Sequence, residues 1–404
     1  MPGRSTTRMA AVLVAAAIGV LGGPVGAATS EDPPWSVDEA DLDAALDWPA
    51  FAHPDREPVL LVHGTGATGP EQFGWNWLVA LPPLGFDVCT VTYPDRGLGD
   101  QQVSAEYVAH AVLAMHETTG RAVDLVGHSQ GASMSRWAVR WWPSVQEVLD
   151  DVVSLAGPHH GLGDEVEGEP GSGRRVPEAF LQFAADSRFV TLLDEGDETP
   201  GDVDWTSLAS ADDGVVRPPE TSYLDLGAED ARVVNVLLQD LCPGRVVDHM
   251  AMGTTDRLAF DLAVDAMVND GPADPGRLDL GPDCATADAI VEDTEPPTSL
   301  GDVLAGGIPD LHLAREEPPT KAYALGVESP RASPTLSPTP TPDPTPTEPS
   351  TPLVPEDLVD PAEEADVLAS SSSGSARPVT GGGLAVVGVV GALVARVAWR
   401  RRTR

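Results

Sequence analysis

The chemistry of this chain starts at Gly127-His128-Ser129-Gln130-Gly131. An apolar run, residues 122–126, precedes this G-x-S-x-G pentapeptide, and a helical stretch, residues 132–141, follows it. Strand, G-x-S-x-G, helix is the context of a nucleophile elbow. Small residues at 127 and 131 let the chain turn sharply and hold the serine hydroxyl above the sheet edge. The same turn points the Gln130 amide to where an oxyanion would form. A serine hydroxyl is a weak nucleophile at neutral pH, so it needs a base within hydrogen-bond reach and a carboxylate to orient that base. Around such an elbow the chain order is nucleophile, carboxylate, histidine.

The histidines after Ser129 are His159, His160, His249 and His312. His159 and His160 come too early to leave a carboxylate strand before them, and His312 adjoins a Pro-rich exit. His249 lies in a loop after an apolar strand, residues 233–238, and is the expected base. The carboxylate should follow a strand between Ser129 and His249. Residues 205–209 read as that strand, and the loop Ser210-Ala211-Asp212-Asp213-Gly214 offers Asp212 and Asp213, between which spacing does not choose. A second oxyanion donor is needed beside the Gln130 amide. The Gly-rich turn Gly64-Thr65-Gly66-Ala67-Thr68-Gly69 can aim backbone amides, and Thr65 adds a hydroxyl. No Gly-Lys-Ser/Thr follows, which argues against a phosphate loop.

These residues need a scaffold that holds them. Residues 58–63, 86–93, 122–126, 151–155, 205–209 and 233–238 read as strands. Residues 104–118 read as a helix: Tyr107, Val108, Ala111, Val112 and Met115 share one face, with Ser104 as N-cap. A last long helix is expected over 254–268, capped by Thr254 or Thr255. Strands alternating with helices give an α/β fold with a mostly parallel sheet. Unbroken apolar runs such as Val59-Leu60-Leu61-Val62 suit strands buried on both faces.

The two ends have a different composition. Arg4 and Arg8 precede a short apolar run, residues 10–21, and small residues follow, so residues 1–28 read as a secretory signal peptide. A catalytic domain is expected over 29–325. Residues 326–375 form a Pro/Thr/Ser-rich and acidic linker that cannot bury a core. Residues 376–404 read as an anchor: an apolar run over 381–399, then Arg400, Arg401, Arg402 and Arg404. At about 1.5 Å per residue that run reaches across a hydrocarbon layer of about 30 Å. Arg377-Pro378-Val379-Thr380-Gly381 resembles a sortase sorting signal with Arg in place of Leu. The expected product is displayed at the cell surface, on membrane or cell wall.

The net charge is −39, from 63 acids against 24 bases, and Lys321 is the single lysine. Such a surface excludes nucleic acid as a partner and favours solubility in salt. The composition calls for no cofactor, no Cys/His spacing suits a metal, and a monomer is expected. Of three cysteines, Cys242 and Cys284 lie in Pro/Gly loops and should pair after export, while Cys89 reads as a buried free thiol.

Taken together, the motifs resemble a known family. Gly64-Thr65-Gly66-Ala67-Thr68-Gly69-Pro70-Glu71-Gln72-Phe73, Asn76-Trp77, Gln101-Gln102-Val103 with Glu106-Tyr107, and Ser129-Gln130-Gly131 carry the likeness. Trp141-Trp142-Pro143-Ser144, the loop 210–218, Leu241-Cys242-Pro243-Gly244, Val247-Asp248-His249 and Gly281-Pro282-Asp283-Cys284 continue it. This set, over residues 58–285, is similar to the Candida antarctica lipase B family of α/β-hydrolases. The resemblance implies an α/β-hydrolase with Ser129 as nucleophile, His249 as base and Asp213 as orienter. It implies an oxyanion hole from the Thr65 amide and hydroxyl and the Gln130 amide. It supports pairing of Cys242 with Cys284 and leaves Cys89 without the partner that position has in the family. His128 replaces the family's Trp beside the pocket for the smaller substrate arm, and residues 165–175 are foreign to the pattern.

The expected function is a serine carboxylic ester hydrolase acting on lipid or small ester substrates through an acyl-enzyme. An acyltransferase on envelope lipids or glycans is the alternative. A non-catalytic surface binding module is the third reading.

Overall fold

The computed structural model describes residues 31–48, 50–162, 175–226, 231–281, 284, 289–291 and 311–326. The signal segment, the linker, the anchor and most of 165–175 lie outside the described residues. Among the described residues no helix is long and apolar enough to cross a membrane.

The strands are β1 (Leu46–Asp47), β2 (Val59–Val62), β3 (Val88–Val91), β4 (Val123–His128), β5 (Leu149–Leu155), β6 (Val176–Pro177), β7 (Asp204–Ala209), β8 (Val233–Leu237) and β9 (Leu313–Ala314). Seven of them form one sheet in the order β1-β3-β2-β4-β5-β7-β8. β1 runs antiparallel to β3, and the other pairings are parallel. The mostly parallel sheet expected from the alternation is therefore present. β2, β3 and β4 are buried at every residue, as strands covered by helices on both faces must be.

One apolar layer joins β2, β3 and β4 to the helices Gln101–Thr119 and Gln130–Trp141 through Leu60, Val91, Val108, Val112, Met134 and Trp137. The opposite layer joins Leu61, Val126, Val153 and Leu208 to the helix Arg257–Val268. Between β5 and β7 the chain leaves the sheet. That excursion carries the helices Glu178–Gln182 and Arg188–Asp194 and a small cluster around Ala179, Phe180 and Phe183.

Two helix starts differ from expectation. The helix over 101–119 begins at Asp100, whose side chain accepts from the Gln102 amide; Ser104 lies inside it. The buried face opens with Gln101 and Gln102, so the apolar pattern starts one turn late. The last long helix is Arg257–Val268, capped by Asp256, and a separate short helix, His249–Thr254, precedes it.

Cys242 and Cys284 form a disulfide with 42 residues of sequence separation, a loop whose closure stabilises by about 4 kcal/mol in the chain-entropy account. Cys89 is free and buried, and burial pushes its thiol up to about 12.

The β4–β5 pairing carries a bulge that sets Asp124 against Asp150 and Asp151. Bulges re-aim side chains, and these carboxylates converge within 4.8 Å. Burial, then the charges of Asp150, Asp204 and Glu57, push Asp151 up to about 8. A carboxyl raised in the folded state stabilises the fold at low pH. That contribution is lost as pH rises from the unfolded value toward 8. Asp151→Asn should therefore raise the melting temperature more at pH 8 than at pH 5. Equal shifts at both pH values would refute this.

Candidate active site

Ser129 follows β4 directly, with φ 55° and ψ −124°. This strained conformation is the elbow expected from the motif. A Cβ at Gly131 would stand 2.2 Å from the Val62 carbonyl oxygen, so only glycine lets the helix Gln130–Trp141 start this close to β2. The Ser129 amide donates to the Leu155 carbonyl at 2.9 Å, tying the elbow to the end of β5.

His249 opens the helix His249–Thr254, with Asp248 as N-cap accepting from the Ala251 amide. Its Nε2 lies 2.9 Å from Ser129 Oγ and its Nδ1 2.8 Å from Asp213 Oδ2. Ser129 and His249 are each 9 % exposed, and Asp213 is 3 % exposed. Asp213 Oδ1 accepts from the Val215 and Val216 amides at 2.7 and 2.9 Å. Burial pushes the Asp213 carboxyl up, but the His249 charge and these hydrogen bonds outweigh it and hold it below the usual range. Asp212 is exposed, with its amide donating to Ser210 Oγ. Ser210 Oγ donates to the Val247 carbonyl at 2.7 Å, locking the acid loop to the base loop.

Thr65 and Gln130 meet across the mouth of the elbow. The Thr65 hydroxyl donates to Gln130 Oε1 at 2.9 Å, and Gln130 Nε2 donates to the Gly97 carbonyl at 2.7 Å. The Gln130 side chain thus holds the Thr65 hydroxyl beside its own backbone. Arg96 and Glu71 form an ion pair over the same turn, and the Arg96 carbonyl accepts from the Gly66 amide at 2.7 Å.

His128 is enclosed by its neighbours. Its side chain is 1 % exposed. One ring nitrogen faces Gln72 and the other the His249 carbonyl. Burial, with His249 beside it, lowers its pKa to about 3. Gln72 is buried next to it. No local signal marks it, because its partners are 56 residues away and on a backbone.

The remaining histidines serve elsewhere. His159 faces Ser154 Oγ at 2.8 Å, and His312 pairs with Glu178 at 2.8 Å. His160 lies 3.1 Å from Asp194 and, with Asp194 and Glu198, brings three possible metal donors within 4.8 Å. The buried Arg136 guanidinium already stands 3.4 Å from each of the two acids and supplies their counter-charge. The other group of that kind among the described residues, Asp124, Asp150 and Asp151, sits near the N-terminal end of β4, whereas Ser129 follows its C-terminal end. The concavity between Arg175 and residues 312–316 contains none of the residues around Ser129.

This sheet order, with a serine on the elbow after a central parallel strand, defines the α/β-hydrolase class. Residues 56–236 match the family described as Lipase (class 2). The chain is 32 % identical over 233 residues to lipase B of Pseudozyma antarctica, an alignment covering 55 % of this chain. It spans 65 % of that relative's own length. The crystal structure of Aspergillus fumigatus lipase B superposes with a TM-score of 0.62 at 28 % identity, covering 75 % of each chain.

Proposed function

We propose that this protein is a serine carboxylic ester hydrolase of lipase or esterase type, with Ser129 as nucleophile, His249 as general base and Asp213 as its orienter. The observation that carries the reading is the unbroken chain from Ser129 Oγ to His249 at 2.9 Å and from His249 to Asp213 at 2.8 Å. Ser129 Oγ attacks the ester carbonyl while His249 Nε2 takes its proton. The Gln130 and Thr65 amides receive the oxyanion, and the Thr65 hydroxyl joins them by turning its proton away from Gln130 Oε1. The imidazolium then protonates the leaving alcohol, and water repeats the sequence on the acyl-enzyme.

Val246 and Met250, on either side of His249 in the chain, are 72 % and 45 % exposed. This apolar flank beside the base favours an ester with a hydrocarbon acyl chain. The N-terminal leader, the Pro/Thr-rich linker and the apolar C-terminal run support export and retention at the cell surface. Residues 29–325 would then be the catalytic domain and the linker its stalk.

The test is an ester series of increasing acyl length, run with and without an added alcohol acceptor. Hydrolysis that persists beside the acceptor is expected. Product flowing chiefly to the new ester would make the protein an acyltransferase, and no turnover with any ester would overturn the reading.

A further inference from the structure

His128 is held by two hydrogen bonds of defined direction. Its Nε2 lies 2.9 Å from the His249 carbonyl oxygen, which can only accept, so Nε2 carries the proton. Nδ1 is then a lone pair, and it accepts from Gln72 Nε2 at 3.0 Å. Gln72 Oε1 in turn accepts from the Gly64 amide at 2.9 Å. The chain of donors runs one way: Gly64 N–H to Gln72, Gln72 to His128, His128 to the His249 backbone. One end adjoins Thr65, and the other end is the backbone of the base itself.

Both side chains are shut away from water, Gln72 at 4 % and His128 at 1 % exposure. Such buried networks hold their geometry when fully satisfied. The packing agrees. A Cβ at Gly253 would lie 2.2 Å from the His128 ring, and Gly253 is one turn along the helix that His249 begins. That helix rests its backbone on the imidazole.

We infer that His128, oriented by Gln72, is a positioning residue that sets the His249 backbone against the Thr65 turn, so that base and oxyanion donors move as one unit. This rests on the serine-hydrolase reading above. It gives the second residue of the pentapeptide a task apart from contact with substrate. A histidine here can accept from Gln72 and donate to His249 at once; a tryptophan can only donate.

The first test needs no variant. Nitrogen-15 NMR of the histidine rings in the whole protein should show His128 as the neutral Nε2–H tautomer, and an Nδ1–H tautomer would overturn the relay. Next, His128→Phe and Gln72→Met are compared with the parent on a short nitrophenyl ester. Each is expected to lower kcat about 10- to 100-fold with KM within about twofold, because misplacement of a catalytic group falls on the chemical step. The double variant should lose little more than either single one, the non-additivity of residues in one network. Gln72→Glu places a carboxylate beside Nδ1, so His128 should bind a second proton at higher pH and kcat should gain an ionisation the parent lacks. Parental kcat in both single variants, or losses that simply multiply, would refute the proposal. Failure of a fluorophosphonate to label Ser129 in the parent would instead count against the hydrolase reading, and the NMR result would still judge the relay.

Discussion

Alanine at position 129 is expected to lower kcat for a short nitrophenyl ester by about 10⁶-fold, the scale seen when a triad nucleophile is removed. The far-UV spectrum should not change. The hydroxyl has one hydrogen bond, to His249 Nε2, and it does not cap the helix that follows. The φ of 55° at this residue is imposed by its flanks and is equally open to alanine. The loss should therefore fall on chemistry and spare the fold. Turnover within a hundredfold of the parent would sink the assignment of Ser129, and a lost helical signal would show that the hydroxyl holds the elbow together.

Asp213→Asn should cost about 10⁴-fold in kcat, the size of effect that follows from a wrong imidazole tautomer. The structure explains which way the amide would face. Two backbone amides, from Val215 and Val216, already donate to Oδ1, so the asparagine oxygen would stay there. The NH₂ group would turn to His249 Nδ1, which now has to accept. The ring proton then sits on Nε2, facing Ser129 Oγ, where a lone pair is needed. Asp212→Asn is the matched control, because that side chain is exposed and away from His249. Equal losses in the two variants, or an Asp213→Asn enzyme within tenfold of the parent, would reject the role.

The pairing of Ser129 with His249 was readable because each has a local signature: an elbow flanked by strand and helix, and a histidine placed after a sheet strand. Spacing alone did not choose between Asp212 and Asp213; only the family resemblance pointed to Asp213. The two are adjacent in one loop, and what separates them is which carboxylate turns back onto the 215 and 216 amides. The helix start at Asp100 escaped for a related reason: Gln101, Gln102, Ser104 and Glu106 are buried polar residues, and apolar periodicity is blind to them. His128 stands where the family has a tryptophan. Its actual partners, Gln72 and a carbonyl 121 residues on, leave no trace in spacing.

The excursion between β5 and β7 separates in sequence what the sheet brings together. Ser129, Asp213 and His249 all project from segments that follow sheet strands β4, β7 and β8, and none lies between residues 156 and 203. The chain departs after β5 and returns to pair β7 directly beside it. The proposed reactive centre thus lies outside the excursion, which is bound to the sheet layer by the Gln101–Gln182 hydrogen bond, by Phe189 stacked on Trp137 and by the buried Arg136 donating to the Leu193 carbonyl. Exchange of the excursion between relatives would have to carry its core partners Trp137 and Arg136 with it.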